Sequence, residues 1–302
     1  MGPRSRSHRD RDRRLVRPGP PGGCDAPMSS DRQLIVFAVA LPALVLPTVA
    51  LAVSQGADVN HLDEAPIAAQ IALYSQAFLP AIAALIATRR LDWGFRRVPW
   101  QTLGLALLLP VLYVGTGYVV GWLTGAARFT PPPFEEIATG LPLALFFLVL
   151  ALGEQLGWSS LLTVRLAATR GPDVTAVIVG LAWSAFHYPL MLFVPGAVDA
   201  SVPAPYAMVC FTVGTVAQAF PLVWLRLRTG SIWPVLVFHA MLNTLINAVF
   251  DPMTSGKSPW LMGEGGALTA VVNVLLVLAT WRLWRGAAVG GGTGAPVSTG
   301  VR

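Results

Sequence analysis

At 302 residues, 54% hydrophobic and only 12% charged, with a mean hydropathy of +0.62, the chain is too apolar for a soluble domain of its length. Its net charge of +6 does not describe a nucleic-acid surface, because eight of the 21 basic residues precede position 33 and the others flank hydrophobic runs. These features define an all-α, polytopic membrane protein whose partners are membrane lipids and not nucleic acid.

Residues 1–32 carry Arg9-Asp10-Arg11-Asp12-Arg13-Arg14 and then Pro18-Gly19-Pro20-Pro21-Gly22-Gly23. Such a segment has no apolar face to bury and is expected to be a disordered, basic cytoplasmic tail. Met28 offers a second start codon just before the first apolar run. A signal peptide ending near Ala50-Leu51-Ala52 is the competing reading, but the run from Leu34 to Ser54 is long enough to span, whereas the apolar core of a signal is usually about 7–15 residues.

Uncharged runs of about 20 residues predict eight transmembrane helices, at about 33–54, 66–88, 100–124, 139–163, 174–195, 205–225, 231–250 and 266–284. They form a membrane domain over 33–285 whose motif-bearing core is about 139–250. A glycine-rich, flexible tail is expected at 286–302. Cys24 lies in the polar tail and Cys210 in an apolar run, so the sequence supports neither a disulfide framework nor a thiolate metal cluster.

Basic residues test the count. With eight spans, the N-terminal tail, Arg89, Arg90, Arg96, Arg97, Arg165, Arg170, Arg226, Arg228, Arg282, Arg285 and Arg302 fall on one side, and only Arg128 and Lys257 on the other. The positive-inside rule then places both termini in the cytoplasm of a multi-pass cell-membrane protein.

Glu154 is the one acidic residue inside any of these runs. An ionisable group at bilayer depth costs roughly 2.5–3.5 kcal/mol on insertion scales, so it needs a partner and marks a functional site by default. Of four histidines, His8 and His61 are in polar stretches while His187 and His239 are embedded. Glu154 lies eleven residues from Arg165 and His239 eleven from Arg228, roughly 16 Å each, and His187 lies fourteen from Asp173, roughly 21 Å. Three helices thus bring them to similar depth, and a site in the cytoplasmic half of the bilayer is expected. Read alone, Glu154 has a structural alternative as a protonated acid bonded across a helix interface; the two matching histidines favour a shared site. The seventh helix adds a stripe of His239, Asn243 and Asn247, which must face protein or water, and Gln218 is a further candidate for that polar interior. Trp158 and Trp183 are read as packing residues.

Glu154 with Gly157-Trp158, then Trp183-Ser184-Ala185-Phe186-His187, then His239-Ala240-Met241-Leu242-Asn243 resemble the three motifs of the CPBP family, the CAAX-protease and bacteriocin-processing-related membrane proteins. The resemblance covers about 150–247. It implies an intramembrane glutamic endopeptidase without a cofactor, in which Glu154 is the general base, His187 its partner, and His239 with Asn243 orient water or stabilise the oxyanion. It implies a membrane-associated or lipid-modified protein or peptide as substrate.

The chain departs from the pattern in two linked places. Gln155 stands where the family has a second glutamate, and Ser159 where it has arginine. Four residues apart on one helix face, those positions are placed to pair, and losing both charges together avoids stranding one, which typically costs about 3–5 kcal/mol. The fold is expected to survive. A non-catalytic scaffold or bacteriocin-immunity-like protein of the same fold is the alternative, a transporter a weaker third. Glu154, His187 and His239 also have the composition of a zinc set, although no His-Glu-x-x-His helix is present.

Overall fold

The computed structural model describes residues 29–140 and 142–285. The expected tails therefore lie outside the described residues, apart from 29–32. All the long elements are helices, as an apolar environment requires, since a helix satisfies its backbone internally.

Helix α1 is Ser30–Ser54, α2 is Ile67–Ala87 with a 3₁₀ turn at Gln76–Phe78, and α3 is Trp100–Thr124. A short helix, Phe134–Gly140, precedes α4, which runs as Leu143–Gly157, becomes π-helical over Trp158–Leu162 and ends in Thr163–Ala167. Then come α5, Pro172–Phe193, and α6, Ala204–Thr229. Helix α7 is Trp233–Thr244 with a second π segment at Leu245–Phe250, and α8 is Ala267–Arg285. Seven of these helical stretches are long and apolar enough to cross a membrane; the eighth expected span is apolar but shorter over its fully described part, Ala267–Arg282.

Large apolar side chains such as Ile35, Val39, Leu108, Leu145 and Val149 point outward, more than half exposed. Lipid is the solvent for these faces, so what holds the helices together is close packing and polar contact across interfaces. Helix α5 lies along α6, α7 packs on α4 and α3, and α8 closes against α6 and α3. A small cluster of Ala151, Ile232, Leu236 and Ala240 seats α7 on α4.

Helix α4 approaches α2 through Gly153 and Gly157. A Cβ at Gly153 would run into the Ala77 carbonyl oxygen and meet Phe78 Cδ1 at 2.8 Å, and one at Gly157 would meet the Pro80 backbone at 2.8 Å. This is the small-x-x-x-small device of membrane helices, and Glu154 and Gln155 lie between the two glycines.

The arginine-rich end of the bundle is closed by the chain between α2 and α3. Arg226, only 2% exposed, donates from Nε to the Ser159 carbonyl at 3.1 Å and from Nη2 to the Asp92 carbonyl at 3.0 Å, and pairs with Asp92 Oδ2 at 3.2 Å. Ser160 Oγ donates to the Trp93 carbonyl at 3.3 Å, Ser231 Oγ to that of Arg96 at 2.6 Å, and Ile232 N to that of Gly94 at 2.7 Å. Gly94, at φ +69°, leaves room for the guanidinium of Arg226 to lie on it. The opposite end carries a two-stranded ladder, β1 Arg128–Phe129 antiparallel to β2 Thr254–Ser255.

Candidate active site

Glu154 enters the interior from α4 one turn before the π segment. Both described hydrogen bonds to it end on Oε2, from Trp158 Nε1 at 3.3 Å and from Trp183 Nε1 at 2.7 Å. Trp158 sits four residues on along α4, so helical geometry brings its indole back over the carboxylate. Both tryptophans are buried, at 1% and 5% exposure. Two indole N–H groups give the acid directed, neutral donors where water is scarce, and a hydrogen bond to a charged group is worth roughly 1.5–3 kcal/mol.

Trp183 connects the rest. Its carbonyl accepts from His187 Nδ1 at 2.9 Å, which fixes the Nδ1–H tautomer and leaves Nε2 free. Its ring meets the His239 ring edge-on at a centroid distance of 5.0 Å. His187 is half-buried and also packs against Phe186 and Phe211. His239 is buried, and Gln155 Nε2 donates to its Nδ1 at 3.1 Å. Gln155 Oε1 in turn accepts from Ser159 Oγ at 2.6 Å. The two positions where the sequence lacks the family's charges thus form a neutral hydrogen-bonded pair on the same helix face, and that pair holds His239 with Nε2 protonated.

Glu154, His187 and His239 are therefore brought together, with Trp183 touching all three. Asn243, one turn beyond His239 on α7, is half-buried; its backbone carbonyl accepts from Asn247 Nδ2 at 2.9 Å. Asn247 itself is exposed. Gln218 lines a separate small pocket with Thr215 and Asn273, whose walls do not include His239, Asn243 or Asn247.

His187 also lines a cavity of about 670 Å³ whose walls include Leu190, Met191, Asp199, Phe211, Asp251, Lys257, Met262 and Glu264. The connections that form this wall lie at the end of the bundle away from the arginines. The cavity meets the site at His187, while the connection between α2 and α3 packs over the arginine-rich end.

Sequence reasoning passed over two features here. The tryptophans bond the acid and do more than pack; the Glu154–Trp158 and Trp183–His187 spacings of four were the available signal. Glu264 was missed because it lies in a connection outside every apolar run. Water reaches it through the cavity, yet the protein packed around it raises its carboxyl pKa above the ordinary value. His187 pulls that pKa down, while Asp251 and Glu154 add to the rise. Among the described residues, no three His, Cys, Asp or Glu side chains are grouped to hold a metal ion.

Helices and site define a multi-pass membrane protein with an embedded acid and two histidines. Residues 136–245, about a third of the chain, match the family model described as Type II CAAX prenyl endopeptidase Rce1-like, which supports the likeness of this stretch to the CAAX-protease family of membrane proteins. The matched stretch runs from the short helix before α4 to the first residue of the π segment in α7, leaving α1, α2, α3 and α8 outside it. No curated protein matches the chain.

The indole donation from Trp183 should be measurable as coupling. Trp183→Phe keeps the ring and removes the donor, so in equilibrium unfolding from mixed micelles it should destabilise wild type by about 1.5–3 kcal/mol and a Glu154→Gln background by markedly less. Additive effects of the two substitutions would mean that the bond contributes nothing.

Proposed function

We propose that the protein is an intramembrane endopeptidase in which Glu154 and His187 activate a water for attack on a peptide bond of a membrane-associated or lipid-modified substrate. The family match supports a peptidase. The observation that carries the chemistry is the Trp183 bridge, which fixes the Glu154 carboxylate and the His187 ring through one residue and leaves His187 Nε2 for the cavity.

In this reading a peptide lies in the cavity and Glu154 takes a proton from a water held between it and His187. The hydroxide adds to the peptide carbonyl carbon, and the resulting oxyanion is met by His239 and Asn243. The proton passes to the amine nitrogen as the C–N bond breaks. No cofactor is required by this sequence of steps; cleavage that persists in phenanthroline is its expected companion, and cleavage lost to the chelator and restored by zinc would assign Glu154, His187 and His239 to a metal.

Glu154→Gln keeps size and hydrogen-bonding shape but cannot accept the proton, so cleavage should fall by on the order of 10²–10⁴-fold with insertion unchanged. The measurement compares N-terminal peptides of membrane proteins, by mass spectrometry, in cells carrying wild type, Glu154→Gln or His187→Ala. Fragments lost in both variants at equal protein level support the peptidase. A host phenotype that persists in both, with no fragment depending on either residue, leaves a non-catalytic membrane scaffold.

The arginine-rich end is proposed to face the cytoplasm of the cell membrane, with both termini. Single cysteines in 54–65 and 196–204 should then react with an impermeant thiol reagent added to whole cells, and cysteines in 91–95 should not. The reverse pattern contradicts this orientation.

A further inference from the structure

Beside the large cavity lies a second, much smaller pocket of about 30 Å³, lined by Tyr118, Phe211, Thr215, Gln218, Glu264, Thr269 and Asn273 among others. Glu264 and Phe211 belong to both, so Glu264 stands at the neck between them. Two observations say what the pocket lacks. Asn273 is 2% exposed and its Oδ1 is buried with no hydrogen-bond partner, an acceptor without a donor. Glu264 enters none of the described ion pairs and none of the described side-chain hydrogen bonds, and the charged group nearest in effect is the His187 imidazole. The other acids are provided for. Asp251 Oδ1 pairs with Lys257 Nζ at 2.6 Å and accepts from Tyr118 Oη at 2.6 Å, while Asp199 Oδ1 accepts from Ser201 N at 2.9 Å and Ser201 Oγ at 2.6 Å.

We propose that this small pocket is a subsite for an ammonium group, the side-chain amine of a lysine or the terminal amine of a peptide whose remainder lies in the large cavity. The proposal rests on the reading of that cavity as a peptide site. An ammonium carries three donors and one positive charge, which answers both the unpartnered Asn273 Oδ1 and the Glu264 carboxylate. Room of about 30 Å³ admits a water-sized group. A neutral water would serve Asn273 but leave the charge of Glu264 uncompensated. The substrate class that follows is a peptide with an amine near the bond to be cut.

The test needs no cleavage, so it fails or succeeds independently of the peptidase reading. In the full chain carrying Cys24→Ser and Cys210→Ser, Met191→Cys places one thiol on the cavity wall. Its rates with aminoethyl and with hydroxyethyl methanethiosulfonate are measured in detergent, each divided by the rate of a free thiol in water. A cleft with one sign of unpaired charge concentrates counter-ions by about tenfold or more, so the amine reagent should be favoured by about that factor. Glu264→Gln should bring the preference below about twofold, as should filling the pocket by Asn273→Leu or, from the neighbouring helix, by Gln218→Leu; Asp199→Asn on the same cavity should leave most of it. Competition then separates the sources: protection by Nα-acetyl-lysine amide assigns the side-chain amine, protection by glycyl-leucine amide the terminal one. No preference in the parent, or a preference that survives Glu264→Gln or the pocket-filling variants, overturns the proposal.

Discussion

The structure depends on keeping one carboxylate inside an apolar bundle. Glu154 is tolerated because two indole N–H groups converge on one of its oxygens, and both tryptophans are held in place by packing: Trp158 edge-on against Phe37 and Phe186, Trp183 against the His239 ring. Without those donors the acid would bear more of a desolvation cost of several kcal/mol. The same constraint explains the close approach of α2 to α4, since Gly153 and Gly157 let α2 pack against the helix turn that carries Glu154.

Two irregularities in the helices sit next to the motifs, and the bundle uses at least one of them. The π segment Trp158–Leu162 follows Glu154 directly, and the Ser159 carbonyl within it accepts from buried Arg226. That arginine is also tied to Asp92, so the π segment, α6 and the chain between α2 and α3 form one connected closure at the arginine-rich end. π segments are frequent at functional sites, and the second one, Leu245–Phe250, begins two residues after Asn243. With one end closed over by this connection, the large cavity that His187 lines lies toward the other.

Much of this was legible in the sequence. Apolar runs of about 20 residues located the helices because backbone satisfaction in lipid leaves few alternatives; of the eight expected spans, seven are long and apolar enough to cross and the eighth is shorter over its described part. Glu154, His187 and His239 were legible for the same reason, as rare ionisable groups in apolar runs. The departures at Gln155 and Ser159 were read as a paired loss, and the structure has them bonded to each other. Illegible were features that depend on partners distant in the chain: the π segments, the burial of Arg226 read only as a topology determinant, and the nearness of Glu264 to His187. The tryptophans fall between, since their spacing was visible but their donor role depended on where the indole nitrogen came to point.

The central claim is that water, activated inside the membrane by Glu154, adds to a peptide bond. Oxygen-isotope labelling addresses it most directly. Purified protein in proteoliposomes is given an amine-bearing membrane-anchored peptide library in H₂¹⁸O under single-turnover conditions, and both products and enzyme are mapped by mass spectrometry. The account predicts one ¹⁸O in each newly formed carboxylate and none in Glu154. Cleavage that leaves ¹⁸O in the Glu154 carboxyl would make it a nucleophile, and products carrying no ¹⁸O would contradict attack by water altogether.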